Sequence, residues 1–264
     1  MTGWLHFNEG IAPLIVSVPH AGTDIPDKIA GLRSGDLAHH DADYHVGKLY
    51  AFAREMGATL VETGISRSVI DVNRDPSGIL LYPGQVTTGL CPVETFAGEP
   101  LYEPGQEPNG DEIDHRRSRY FDPYHAALAA QIARLRGLHP AIVLYDAHTI
   151  RSHVPRLFEG ELPLFNIGSF GGASCALELT EAVAKECVGH SAVINGRFKG
   201  GWITRHYGNP AGGVHAIQLE LAMRGYLDED ADWPPAWDAA RAASLQVTLR
   251  QILTACLRFA KDQT

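Results

Sequence analysis

Short runs of β-branched and aliphatic residues recur along this chain, separated by segments whose apolar residues repeat at helical spacing. The runs are LIVSV (14–18), ATLVE (58–62), SVIDV (68–72), AIVLYDA (141–147), LFNIGS (164–169), SAVIN (191–195) and AIQLEL (216–221). Helices are expected near 43–56, 111–137, 174–187 and 235–261. In the second of these, Ile113, Tyr120, Tyr124, Leu128, Ile132 and Leu135 share one face. Strands joined through helices need crossover connections, and crossovers cover both faces of a sheet. The expected fold is α/β, a single domain over 1–264 with a mixed, mostly parallel sheet flanked by helices on both faces. At 264 residues the chain is long enough to bury a sizeable core. The stretch 75–110, dense in Pro and Gly, is too long for an ordinary connection. It is expected to cover the functional site.

Charge narrows the partners. A net charge of -9 argues against nucleic acid or an anionic membrane, while local arginines still allow a small acid to bind. The four cysteines, at 91, 175, 187 and 256, form no CxxC pair, which speaks against a zinc knuckle and for reduced thiols in a cytoplasm. No apolar run reaches a membrane span, and the opening MTGWLHFNEG lacks the basic-then-apolar order of a signal peptide. A monomer or small homo-oligomer is expected.

Reactive residues gather at strand ends. In IVSVPHAGTDIP, residues 15 to 26, His20 follows a strand that Pro19, Gly22 and Pro26 forbid from continuing. In an open α/β sheet that edge binds ligands. YDAHTIRSH puts Asp146 and His148 after the strand 141–145. A catalytic zinc site needs three N/O ligands and an open position, which His20, His148 and one of Asp24, Asp41 or Asp43 can supply. Asp43 stands where a helix is expected to begin, with Asp41 as its N-cap. Glu220 interrupts the apolar run IQLEL, either on a solvated strand face or as a general base. Arg67, Asn73 and Arg74 in SRSVIDVNRD suggest anion recognition. A later segment, NGRFKGGWITRHYGNP, adds Arg197, Lys199, Arg205 and His206 among glycines, and Thr87 and Thr88 offer hydroxyls.

Taken together and in order, SVPHAG, DADYHV, SRSVIDVNR, DAHTIRSH, NGRFKGGWITRHYGNP and AIQLEL resemble the N-formylglutamate deformylases (N-formylglutamate amidohydrolases) of histidine degradation. The resemblance spans nearly the whole chain. More distantly the pattern is similar to the zinc carboxypeptidases and the aspartoacylase/succinylglutamate desuccinylase group, which implies a phosphorylase/hydrolase-like fold. It implies one divalent metal, Zn²⁺ or else Co²⁺, Mn²⁺ or Fe²⁺, on His20, Asp43 and His148. It further implies Glu220 as base, Arg67 at the oxyanion, and Asn73, Arg74, Arg197, Thr204 and Arg205 around a dianionic substrate. The carboxypeptidase HxxE spacing is missing, since Thr23 stands three residues after His20 and Asp24 one further. Asp43 takes the ligand role through the D-x-D-[WY]-H segment that the deformylases share. The expected reaction is hydrolysis of N-formyl-L-glutamate to formate and glutamate. Rival readings are N-formylaspartate, N-formiminoglutamate or another N-acyl acid as substrate, or a metal-dependent amino-acid-binding protein without turnover.

Overall fold

A computed structural model describes residues 3–26, 29, 31–33, 35–82, 84–230 and 233–263. Seven strands form one sheet: β1 (Leu5–Asn8), β2 (Leu14–Val18), β3 (Thr59–Thr63), β4 (Ile142–Ile150), β5 (Phe165–Gly168), β6 (Ala192–Ile194) and β7 (Val214–Ala222). Their order is β1-β3-β2-β4-β7-β5-β6. The pairs β2–β3, β2–β4, β4–β7 and β5–β6 are parallel, while β1–β3 and β5–β7 are antiparallel. The sheet is thus mixed and mostly parallel, as the alternation of runs predicts.

The helical segments are α1 (Gly35–His39), α2 (Val46–Leu49), α3 (Gly110–Arg116), α4 (Asp122–Arg136), α5 (Leu177–Glu186), α6 (Trp202–Tyr207) and α7 (Ala239–Asp262). A wide turn over 117–121 joins α3 to α4, so the 111–137 pattern is one continuous helical rod. Asn109 starts it by accepting the Glu112 N–H at 3.0 Å. Asp238 starts α7 by accepting the Ala240 and Arg241 N–H groups at 2.9 and 3.0 Å.

Side-chain parity along β4 and β7 decides where the core ends and the site begins. Val143, Tyr145 and Ala147 of β4, with Ile217, Leu219 and Leu221 of β7, face the cluster covered by α5 and α7. Ile142, Leu144 and Ala216 face the opposite cluster, covered by α4. Successive strand residues point to opposite faces, so Asp146, His148, Gln218 and Glu220 continue that second face. The face is apolar where the strands begin and ionisable where they end. Each fully buried Val, Leu or Ile contributes roughly 1.5–3 kcal/mol. That packing offsets the several kcal/mol that each buried charge costs.

Several expectations need correction. His148 and Asp146 do not follow a strand; β4 runs on to Ile150 and carries both of them inside it, all nine of its residues buried. Pairing with β2 ends at Asp146, and pairing with β7 alone carries β4 on through His148 to Ile150. The run 68–72 is not a strand. Residues 66–73 are buried turns whose Val69, Ile70 and Val72 join the α4-side core. The helix expected at 43–56 is only α2 and a short 3₁₀ turn at Ala51–Arg54, with Asp43 in the turn before it. Edge strand β1 and helices α1 and α6 carry too little apolar period to be seen in sequence. Residues 75–110 hold no helix or strand of their own up to α3; of them, residue 83 lies outside the described residues.

Candidate metal centre

Two histidines and one aspartate meet at the carboxyl ends of β2 and β4. His20 Nδ1 lies 3.1 Å from His148 Nδ1. Asp43 Oδ2 lies 3.3 Å from His148 Nδ1 and 3.8 Å from His20 Nδ1. All three residues are buried, at 2%, 2% and 1% exposure for His20, His148 and Asp43. Asp43 is held there by its own N–H, which donates to the His20 carbonyl at 2.9 Å, and by the Thr149 N–H, which donates to Oδ2 at 3.0 Å. The other two candidates are engaged elsewhere. Asp41 accepts from the Phe96 N–H at 2.6 Å and from Arg151 at 3.1 Å. Asp24 pairs through its backbone with Ile65 at the edge of the sheet.

Each imidazole is oriented by a carboxylate behind it. His20 Nε2 donates to Asp71 Oδ1 at 2.7 Å, and His148 Nε2 donates to Asp146 Oδ2 at 2.9 Å. Placing the proton on Nε2 leaves both Nδ1 lone pairs facing each other. Two lone pairs at 3.1 Å repel unless a cation or a proton lies between them. Separations of 3.1, 3.3 and 3.8 Å bracket the ~3.4 Å edge of a tetrahedron whose ligands sit about 2.1 Å from a metal. Asp43 Oδ1 is buried with no hydrogen bond among the described residues and only a long ion pair to Arg67 at 3.5 Å. Backing carboxylates, inward lone pairs and a buried carboxylate beside them all fit a divalent cation.

The two imidazoles differ in their electrostatics. Burial pulls the His20 imidazole below its usual range, with Arg67 adding to the effect, so it stays neutral and able to ligate. Burial also lowers His148, but the Asp146 charge and hydrogen bonds to Asp146 and Asp43 outweigh it and hold it well above the usual range. Without a cation, His148 therefore carries the proton that separates the lone pairs. Burial raises Asp71, and Arg74, His20 and Arg67 together reverse that, leaving it well below the carboxylate range.

Glu220 stands directly opposite His148 in the β4–β7 register. It is 7% exposed, so the solvated-face reading fails. Burial pushes its carboxyl up to about 8 against the pull of His148. A cleft of about 650 Å³ opens over these groups, lined by four arginines, at 67, 74, 156 and 197. Arg67 donates to Asp71 at 2.7 Å, reaches Asp43 at 3.5 Å and stacks on Phe96 at 4.7 Å. Arg74 donates to the Thr88 carbonyl and hydroxyl, both at 3.0 Å. Arg197 donates to the Leu157 and Val86 carbonyls at 2.9 and 2.8 Å, and its Nη1 makes no hydrogen bond among the described residues. The stretch 75–110 supplies Tyr82, Val86, Thr87, Thr88, Thr95 and Phe96 to the cleft wall.

Not every expected residue lines the cleft. Arg205 is turned to the Gly200 and Leu81 carbonyls at 2.8 Å and packs on Tyr82 and Phe170, bracing the wall from outside. Thr204 is fully buried, its hydroxyl unpartnered among the described residues. Asn73 does line the cleft, but its side chain binds within the protein. Sequence reasoning missed Arg156, which salt-bridges to Glu94 and has no glycine or strand end beside it to mark it. It saw Asp71 and Asp146 without their role; their spacing before Asn73 and His148 carries no signal until the strands are paired.

Known proteins resemble this chain over most or nearly all of its length. The family model for N-formylglutamate amidohydrolase matches residues 12–227. The N-formylglutamate deformylase of Pseudomonas putida is 44% identical over 263 residues, 98% of this chain and 97% of that one. The deformylase of Pseudomonas aeruginosa is 43% identical over 98% of both chains. The crystal structure of N-formylglutamate amidohydrolase from Ralstonia eutropha JMP134 aligns with a TM-score of 0.79 over 97% of both chains at 23% identity. A protein of Agrobacterium tumefaciens aligns at 0.72, over 97% of this chain and 95% of that chain, at 18% identity. At such identities the last two likenesses speak to the fold alone.

Proposed function

The chain belongs to the N-formylglutamate amidohydrolase family, and from that membership we propose that it hydrolyses N-formyl-L-glutamate to formate and L-glutamate at a single divalent cation held by His20, Asp43 and His148. The observation that carries the metal is the pair of buried Nδ1 atoms 3.1 Å apart beside Asp43 Oδ2. Two imidazoles and a carboxylate suit zinc, with an open position for water. A bound cation supplies Lewis acidity, which acidifies water toward a pKa of ~7 and polarises the formyl carbonyl.

The protein's own groups do the rest. Glu220 takes a proton from the attacking water and hands it to the departing nitrogen. Burial raises this carboxyl from the usual range toward neutrality, which suits a group that must both take and return a proton. Arg67, fixed by Asp71 and Phe96, faces the oxygen that turns anionic, an effect worth about 3–4 kcal/mol per donor. Arg74 and Arg197 grip the two carboxylates of the substrate, with Thr87, Thr88 and Tyr82 between them. An arginine-lined cleft in a chain of net charge -9 is what a small dianion requires. The four cysteines are buried and unpaired, which supports a reducing, cytoplasmic setting, and no described helix is long and apolar enough to cross a membrane.

Formate release from N-formyl-L-glutamate tests the proposal. Turnover should vanish with a chelator, return with added zinc, and be much slower for N-formyl-L-aspartate, whose second carboxylate falls one methylene short. Chelator-resistant turnover would overturn the metal, and equal rates would overturn the chain-length reading.

A further inference from the structure

Asn73 stands where a substrate contact is expected, yet its polar atoms are engaged inside the protein. Its main-chain N–H donates to Asp71 Oδ1 at 2.9 Å. Its Nδ2 donates to Asp146 Oδ2 at 3.0 Å, the same oxygen that receives His148 Nε2 at 2.9 Å. Its Oδ1 accepts the Ile203 N–H at 2.7 Å, at the start of α6. Nδ2 also lies 2.9 Å from His148 Nε2, and the Asp146 and Ile203 contacts together favour this orientation of the amide. Reversed, an oxygen would face the Asp146 carboxylate and an NH₂ would face the Ile203 N–H. The residue is 2% exposed. Gly201 permits its position, since a Cβ there would lie 2.5 Å from Nδ2.

We propose that Asn73 is a positioning residue for the metal centre, tying together the two carboxylates that orient His20 and His148, instead of a grip on the substrate carboxylate. Its side chain acts on His148 through Asp146, while its main-chain N–H, which a substitution leaves in place, meets the Asp71 behind His20. Two donors on Asp146 Oδ2 fix the plane of that buried carboxylate, and the plane fixes the His148 ring. Ser17 steadies the other oxygen, donating to Asp146 Oδ1 at 2.9 Å from beneath the cleft. Outer partners of metal-bound histidines typically alter affinity 10–100-fold when removed. The inference rests on reading His20, Asp43 and His148 as metal ligands.

The test strips wild type and Asn73→Ala of metal and titrates each with zinc and with cobalt(II). Asn73→Ala should bind zinc about 10–100-fold more weakly and show an altered visible cobalt spectrum. Its kcat/KM should fall by one common factor for N-formyl-L-glutamate and for an uncharged N-formyl amine. Asn73→Asp keeps the acceptor for the Ile203 N–H but loses the donor to Asp146, so it carries the test if the alanine variant does not fold. Ser17→Ala, outside the cleft, should weaken zinc in the same direction. Unchanged zinc affinity and cobalt spectrum, with a loss confined to KM for N-formyl-L-glutamate, would overturn the assignment alone. A wild type that binds neither ion would overturn the metal reading and this assignment with it.

Discussion

In the proposed reaction Glu220 and Arg74 have separate tasks, chemistry and recognition. Glu220→Gln keeps the shape of the side chain opposite His148 but removes the proton acceptor. It should retain one metal per chain by elemental analysis while kcat falls roughly 10²–10⁴-fold; near-normal turnover would remove Glu220 from the base role. Arg74 is 17% exposed and already anchored on Thr88, so it meets a substrate carboxylate without first being ordered. Arg74→Ala should lower kcat/KM for N-formyl-L-glutamate at least tenfold more than for an uncharged formamide, a difference of about 1.4 kcal/mol or more. Equal losses would refute carboxylate recognition. At this scale the sequence was readable wherever residue type states the chemistry. His20, His148, Asp43 and Glu220 are the kinds of side chain that metal-assisted hydrolysis needs. It was unreadable where the type is ambiguous: Asn73, Arg156 and Arg205 are all polar residues near a site, and only their partners distinguish a cleft wall from a brace.

Buried turns, not strands, carry half of the site. Residues 66–73 look like a strand because Val69, Ile70 and Val72 are β-branched or aliphatic, but each polar residue between them finds a partner that a ladder would deny it. Asp71 serves His20, Arg67 and the Asn73 N–H at once. Helices α4 and α6 hold that segment in place. His125 of α4 donates from Nε2 to the Val72 carbonyl at 2.8 Å and meets the Tyr207 hydroxyl of α6 at 2.9 Å. Burial pushes this imidazole down to about 4. In the unfolded chain it takes up a proton near 6.5, so the unfolded state binds more protons between those two values. Stability is therefore complete above ~6.5, falls as pH drops toward 4, and loses at most about 3 kcal/mol to this group. Denaturant unfolding of metal-stripped protein at pH 7 and 4.5 should show a smaller loss for His125→Gln than for wild type, and identical losses would exclude the group. Gly201, before α6, is a second element-scale constraint. Gly201→Ala should cost about 1–3 kcal/mol by crowding Asn73, with a matching fall in zinc affinity; a variant indistinguishable from wild type would show that the close approach is dispensable.

Over the whole molecule, the centre joins parts of the chain that share no local window. His20 and His148 lie 128 residues apart, and His148 and Asp43 lie 105 apart. A cation that binds the folded protein alone adds stability by mass action, about 2.7 kcal/mol at a hundredfold excess over its dissociation constant. For a chain of this size each kcal/mol shifts the midpoint roughly 2–4 °C. Chelation should accordingly lower the calorimetric Tm by roughly 5–10 °C, and restored zinc should return it; an unmoved Tm would argue against a metal that spans β2, β4 and the turn at Asp43. The α/β alternation, the mostly parallel sheet and the candidacy of His20 and His148 follow from properties that short stretches already display: apolar period, turn chemistry and side-chain type. The meeting of Asp43 with both histidines, the placing of Glu220 against His148 and the inward turn of Asn73 do not. They depend on the register between β4 and β7 and on how the 66–73 turns cross the sheet. Those are long-range pairings, whose energies arise only once distant segments are already packed together.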